Sequence, residues 1–431
     1  MASLGALSAG GGSSGGLLSL LTPPGKVPGT GILPLSNTIK ETFGHGALDP
    51  AVLKVVIGSL PATYGDFPQS DDVAPSAIFI ACFSLLALAY YYIFIKDYKR
   101  GHRFWAFFGL GGYCVLKVIG FGLRINWSHD VTRVQTGIAA TVFTLVSVLF
   151  INMLNMLFGH RIFTRRHPET GNASWFNIGM TITYLVVMGV IVMAIVGQAI
   201  PFIYFLDSKH LKMCQHVVQA AAILQVLYAF AGILLIVTAY AIPPGKIDHR
   251  LFFKGPKETL PKTFSATWIE SCSPFYFPTK GSQQIIHRGD PQAKYIRVIP
   301  SNEAPAGGFA DHNDDHPNGP SIRTAIILIV GTSLILSISS SFRCASTFIL
   351  VTRGGYPGVP FGNWIFHNWV LYIFGGAFEV IVNVLFLVYR ADLRFYIPDK
   401  SLANTNEVSS NLTVDQTTTG EAVKPETSHF A

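Results

Sequence analysis

The chain has 431 residues, of which 50% are hydrophobic and only 13% carry a charge. A soluble domain usually carries about 25% charged residues, so this composition excludes an ordinary soluble protein and indicates a membrane protein. The formal net charge of +7 could suit nucleic acid, but the basic residues cluster beside the apolar runs. That placement is typical of loops on the cytoplasmic side of a membrane. We therefore expect membrane lipids, and no nucleic acid, as partners.

Seven apolar runs are each long enough to cross a bilayer as a helix, which takes about 20 residues. The sequence therefore predicts an all-α integral membrane protein, a bundle of seven transmembrane helices. The expected spans are Ser76–Ile95, Phe104–Leu123, Thr136–Phe158, Ile178–Phe205, Val217–Ile242, Thr324–Phe348 and His367–Arg390.

The polar segments between and around these runs define the domain organisation. Residues 1–74 are rich in Gly, Ser and Pro and predict a mostly disordered tail. Residues 75–242 hold the first five spans, and residues 324–390 hold the last two. A long polar loop covers 243–323, and residues 391–431 form a second tail that we expect to be mostly disordered.

The distribution of lysine and arginine predicts the orientation of the bundle. The first, third and fifth connections between spans are much more basic than the second and fourth. Because basic loops stay in the cytoplasm, we expect the N-terminus outside and the C-terminus inside. We further expect the plasma membrane rather than an internal one.

Glu379 is the sharpest candidate for a functional residue, since it lies near the middle of the seventh apolar run. A charge at mid-bilayer costs about 3 kcal/mol on insertion scales and marks function by default. Gly375 and Asn383 lie four residues to either side, on the same helical stripe. The alternative is an acid that is buried and paired for packing alone.

The expected partner of Glu379 is Lys117, in the second run. Lys117 lies seven residues before Arg124, about 10 Å along a helix. From that position its ammonium group can either reach toward Glu379 or extend outward to the interface. Both readings remain open from the sequence.

Asn152 and Asn155 lie about one turn apart in the third run. Amides within a membrane commonly hydrogen-bond between helices, so these two residues fit structural contacts better than ligand contacts. We keep both as candidates for a ligand site.

No arrangement of residues points to catalysis or to a metal. The sequence has no nucleophile with a base and an acid, no phosphate-binding loop and no zinc-ligand spacing. The segment Asp311–His316 holds acids and histidines, but its Pro-, Gly- and Asn-rich surroundings favour a solvated loop. We therefore expect a protein that is not an enzyme and that has no cofactor and no metal.

Several short motifs occur together in chain order: Arg100–Phe104, Arg124–Trp127, Phe150–Asn152, Phe342–Arg343 and Phe378–Val382. With them the chain resembles a fungal seven-transmembrane family of unknown function, whose members are sometimes labelled family-C-like G-protein-coupled receptors. It resembles more distantly the fungal RTA-like family, described as lipid-translocating exporters. Arg343 falls on a motif of both and is a further candidate. The RTA-like pattern has acids where this chain has Asn368 and Gly375.

These observations lead to one functional hypothesis and two alternatives. The first is a non-enzymatic protein that binds a lipid or other small amphiphilic ligand inside its helix bundle, to sense it or to move it. The second is a receptor that signals through its cytoplasmic loops to a cytoplasmic signalling protein. The third is a structural membrane protein. The polar stripe in an apolar bundle favours the first.

Overall fold

The structure is a computed structural model, and it describes residues 22–43, 57, 60, 62–99, 104–167, 170–171, 173–243, 284–285, 297–298, 322–349 and 363–395. Within these residues, seven helices are long and apolar enough to cross a membrane. The predicted fold class is therefore confirmed. The spans, numbered first to seventh, are the helices Val73–Lys99, Trp105–His129, Val134–Arg166, Ser174–Ile203, Ser208–Ala241, Ile322–Phe348 and Asn368–Val388.

Shorter elements lie between and beside the spans. The N-terminal helix is Ile32–Phe43, and a short helix, Ala391–Arg394, follows the seventh span. Single 3-10 turns cover Ser70–Asp72 and Trp364–Phe366. Two strands of two residues each, Gln284–Ile285 (β1) and Arg297–Val298 (β2), pair antiparallel. The segment Asp311–His316, weighed above as a metal site, lies outside the described residues.

Several spans extend further than the sequence predicts, and the fifth begins at Ser208 rather than at Val217. We expected the second span to stop at Leu123, but its helix continues to His129. The third runs on past Phe158 to Arg166. The extension of the second span has a physical cause, because the Arg124 side chain is buried and donates hydrogen bonds to protein groups. A basic residue with its own acceptors does not have to mark the end of a membrane helix.

The third span is the centre of the bundle. It packs against the second, fourth, fifth, sixth and seventh spans, and the first span closes the ring by packing against the second and the seventh. The core of the bundle is strongly aromatic, with stacked rings at Phe79, Phe121 and Tyr372. At Gly159 the backbone of the third span approaches the fifth so closely that an added Cβ would lie 2.9 Å from the carbonyl oxygen of Gly232.

The seventh span is not a uniform α-helix. It runs as an α-helix over Asn368–Tyr372, widens into a π-helical turn over Ile373–Ala377, and returns to an α-helix over Phe378–Val388. Two carbonyl oxygens of this turn accept bonds from other spans. Ser339 Oγ donates to Phe374 at 2.7 Å, and Lys117 Nζ donates to Gly375 at 3.1 Å. Such turns are frequent at functional sites.

The structure differs from the expected disordered tail over part of residues 1–74. The N-terminal helix packs against the third and fourth spans. The chain before it is fixed by backbone bonds, from Val27 N–H to Leu206 and from Gly31 N–H to Pro201. Gly31 has a φ of +65°, and an added Cβ would lie 2.5 Å from the ring of Phe205. Only glycine fits this approach without strain.

Candidate functional site

Lys117 and Glu379 form a buried ion pair between the second and seventh spans. The distance from Lys117 Nζ to Glu379 Oε1 is 2.8 Å, and both side chains are 0% exposed. The ammonium group also donates to the carbonyl oxygens of Thr144, at 2.8 Å, and Gly375, at 3.1 Å. All three of its N–H groups therefore have acceptors. The pair joins three spans at the π-helical turn.

A set of polar side chains completes the surroundings of Glu379. Tyr113, one turn before Lys117, donates its hydroxyl to Glu379 Oε2. Asn383 donates its amide to the backbone oxygen of Glu379 at 2.7 Å. Tyr90 of the first span donates to the side-chain oxygen of Asn383 at 3.1 Å. Gly375, Glu379 and Asn383 thus all face the interior, as the sequence predicts.

This arrangement has a chemical consequence. Each charge of the pair is matched, each N–H of Lys117 is used, and none of Lys117, Glu379 and Asn383 lines the cavity described below. A closed ion pair of this kind ties helices together. A ligand would have to break it to reach either charge. The functional role assigned to these residues from the sequence stays a prediction.

Asn152 and Asn155 also face the interior and bond to other spans. Asn155 donates to Ser333 Oγ of the sixth span at 2.7 Å and accepts from Thr332 at 3.1 Å. Asn152 donates to the backbone oxygen of Gln225 at 3.4 Å. These contacts between helices are the structural alternative considered above, and neither asparagine lines the cavity.

Arg343, in the sixth span, differs from the other candidates. Its side chain is 6% exposed, and its Nη1 atom donates to Leu145 O at 2.5 Å and to Gln225 Oε1 at 2.9 Å. A guanidinium group has five N–H donors, so three of them donate to no described residue. No described carboxylate lies within 4.0 Å of it either. Among the described residues Arg343 is therefore a buried cation with no carboxylate in contact, and Glu379 interacts with it only over a longer distance.

Arg343 lines a cavity of about 460 Å³ between the N-terminal segment and the second to sixth spans. This volume lies in the range of small-molecule sites, about 300–1,000 Å³. The lining is mostly apolar, with Ile32, Phe67, Trp127 and Phe202 among its larger side chains. Among the described lining residues Arg343 is the only one that is charged.

Two other lining residues present polar atoms without a partner. The Tyr64 hydroxyl and Gln198 Oε1 are both buried, and neither has a hydrogen bond to a described residue. Burial raises the pKa of the Tyr64 phenol above its ordinary value, and the Arg343 cation opposes that rise. Tyr64 is therefore a neutral hydroxyl group at physiological pH. Buried polar atoms normally have partners; elsewhere in the bundle Thr144 Oγ1 and Asn152 Oδ1 also lack one among the described residues.

The segment 62–72, which contributes Tyr64, is fastened to the bundle by a buried arginine. Arg124 Nη2 donates to the carbonyl oxygen of Gly65 at 2.7 Å and to Asn368 Oδ1 at 2.9 Å. Asn368 in turn donates to the Asp72 carboxylate at 2.5 Å. The segment, which contributes lining residues to the cavity, is therefore attached to the second and seventh spans.

Sequence reasoning missed three residues of this region. The sequence does contain an indication of Tyr113, because this residue lies four positions before Lys117 and so on the same face of the helix. Arg124 was read as the end of a span. Tyr64 lies in a segment that was expected to be disordered, and no local pattern points to its place beside Arg343.

The fold and this interior define a polytopic α-helical membrane protein with a ligand-sized cavity within its bundle. Among the described residues, no group of three or more His, Cys, Asp and Glu side chains is arranged to hold a metal ion. The chain belongs to the family described as protein of unknown function DUF3112, whose model matches residues 168–396. That match includes Gln198, Arg343 and Glu379. No curated protein and no solved structure shows significant similarity to the chain.

Proposed function

We propose that this protein is not an enzyme and that it binds a lipid or other amphiphile within its helix bundle, to sense it or to move it. The observation that carries the proposal is the cavity of about 460 Å³, whose walls are mostly apolar and include the charged Arg343 and the buried polar atoms of Tyr64 and Gln198. An amphiphile has the same division, an apolar chain and a polar head. The distant resemblance to RTA-like lipid-translocating exporters supports the same class of ligand.

The cavity, rather than the Lys117–Glu379 pair, is the binding site in this proposal. The pair has used its hydrogen-bonding capacity on protein groups, whereas the cavity has polar atoms left over. Binding there brings a ligand against the N-terminal segment and five spans at once. A ligand there alters the packing of the segment 62–72. We place the protein in the plasma membrane, with this segment facing outward.

The test is mass spectrometry of the molecules that remain bound when the protein is extracted with its surrounding membrane in polymer-bounded discs and then released. We expect an amphiphile retained by the wild type and lost from Ala199→Phe, because Ala199 lines the cavity and the larger ring fills it. Val196→Phe is the matched control, since Val196 lies on the same helix and is 44% exposed toward the outside of the bundle. Equal retention by wild type, Ala199→Phe and Val196→Phe would contradict binding in the cavity.

A further inference from the structure

We infer that the ligand of the cavity is a monoanionic, single-chain amphiphile, a long-chain carboxylate, and that Arg343 and Tyr64 hold its head group. This inference rests on the proposed function and makes the chemistry of its ligand specific. It depends on three independent features: the unmatched charge of Arg343, the unpartnered hydroxyl of Tyr64, and the absence of any other charge among the described lining residues.

The charge of Arg343 decides the sign of the ligand. A buried cation is costly unless an anion compensates it, and the described acceptors of its guanidinium are a carbonyl oxygen and an amide oxygen, both neutral. Elsewhere in the bundle the chain supplies the missing charge itself, as Glu379 does for Lys117. At Arg343 no described residue places a carboxylate in contact, so we expect the compensating anion to come from the occupant of the cavity.

The number and geometry of the donors decide the kind of head group. The Nε and Nη2 atoms of Arg343 donate to no acceptor in the described part of the chain, and a guanidinium edge of this kind binds a carboxylate through two parallel bonds. The neutral Tyr64 hydroxyl adds one more donor. A single cation balances a single negative charge. A dianionic phosphate would keep an uncompensated charge in an apolar cavity, and an alkylamine would add a second cation beside Arg343.

The apolar walls of the cavity indicate the chemistry of the rest of the ligand, beyond its head group. They are apolar side chains from the N-terminal helix, the third span and the fourth span, such as Leu35, Ile138 and Phe202. Burial of methylene groups is favourable, and a hydrocarbon chain has no polar group that these walls would leave unpaired. A long-chain carboxylate therefore satisfies both the charged and the apolar surfaces of the cavity.

Three photoactivatable probes with the same C16 diazirine chain test the inference: the acid, the alcohol and the amine. After irradiation in reconstituted vesicles, peptide mapping separates labels in the third and fourth spans at the cavity from labels on lipid-facing positions. Hydrogen bonds to a charged group typically exceed 1.5 kcal/mol, so we expect the acid to label the cavity about tenfold more than the alcohol. The amine should label it least.

Variants then test which residues cause the preference for the acid over the alcohol. Arg343→Gln should bring acid labelling down to that of the alcohol, and Tyr64→Phe should lower it by about threefold. Arg323→Gln is the matched control, since it removes a positive charge from the exposed end of the same span. If Arg343→Gln does not fold, the selectivity of the wild type and the Tyr64→Phe variant still decide the question.

The outcomes separate the inference from the function on which it rests. Equal labelling of the cavity by acid and alcohol, or preference for the amine, overturns the carboxylate while leaving amphiphile binding in place. Labelling of lipid-facing positions alone by all three probes overturns both. Preference for the acid that survives Arg343→Gln and Tyr64→Phe overturns the assignment of the head-group site.

Discussion

The Nζ atom of Lys117 lies 2.8 Å from Oε1 of Glu379, although the two residues are 262 positions apart in the chain. Removing one charge leaves the other buried without its partner, which typically costs about 3–5 kcal/mol of folding free energy. We therefore expect Glu379→Gln to lower the thermal stability of the protein in detergent, and Lys117→Met to do the same. The double variant should recover part of the loss, because neither charge then remains.

The exposed pair Lys26–Asp207 provides the control for this cycle. Its atoms are 3.7 Å apart and its side chains are 38% and 40% exposed, so water already screens both charges. Lys26→Met and Asp207→Asn should leave the melting temperature nearly unchanged. If the Lys117→Met, Glu379→Gln double variant loses as much stability as the two single variants added together, the buried pair is not energetically coupled.

Gly31 allows the attachment of the N-terminal segment to be tested. Gly31→Ala places a Cβ 2.5 Å from the Phe205 ring, in addition to the cost of a left-handed conformation, about 1–2 kcal/mol. We expect faster hydrogen exchange over Ile32–Phe43, since the segment must move away from the loop between the fourth and fifth spans.

Gly25→Ala separates the two causes of that effect. Gly25 also has a positive φ, +80°, but an added Cβ there meets nothing within 4 Å. Its substitution therefore reports the conformational cost alone. Equal exchange rates in Gly31→Ala and Gly25→Ala would show that the contact with Phe205 does not hold the segment.

Gly159 tests the close packing of the third and fifth spans. Gly159→Ala brings a methyl group to 2.9 Å from a backbone oxygen of Gly232, and overpacking of this kind costs about 1–3 kcal/mol. Gly189→Ala in the fourth span has open space around it and should be neutral or stabilising, by up to about 1 kcal/mol, because alanine favours the helix. Melting curves that fall in the opposite order would contradict the packing described here.

The orientation predicted from the basic residues has a direct test. An epitope inserted after Pro24, in an exposed stretch, should be labelled by antibody on intact cells. One inserted at Asp314, which lies outside the described residues, should be labelled only after the membrane is permeabilised. The reverse pattern would place the basic loops outside the cell, against the rule that predicts them inside.

The sequence predicts the bundle well because its information there is local. Seven apolar runs of sufficient length specify seven helices, and an acid and a lysine within such runs have few partners other than each other. The cavity, in contrast, cannot be predicted from local patterns in the sequence. Its polar lining residues include Tyr64, Gln198 and Arg343, from a segment and two spans that are far apart in the chain. The segment that contains Tyr64 is held by the bond from Arg124 to the backbone of Gly65, and a contact with a backbone oxygen leaves no signature in the sequence.

The π-helical turn at Ile373–Ala377 determines the direction in which the side chains after it point from the seventh span. One residue of an α-helix corresponds to about 100° of rotation, and a π turn accommodates one residue more than an α turn. Glu379 and Asn383 therefore point where they do because of an insertion upstream of them. A relative of this chain that lacked one residue in Ile373–Ala377 would keep Trp369 and Tyr372 in place. Its carboxylate at the position of Glu379 would point about a quarter of the way around the helix, away from Lys117.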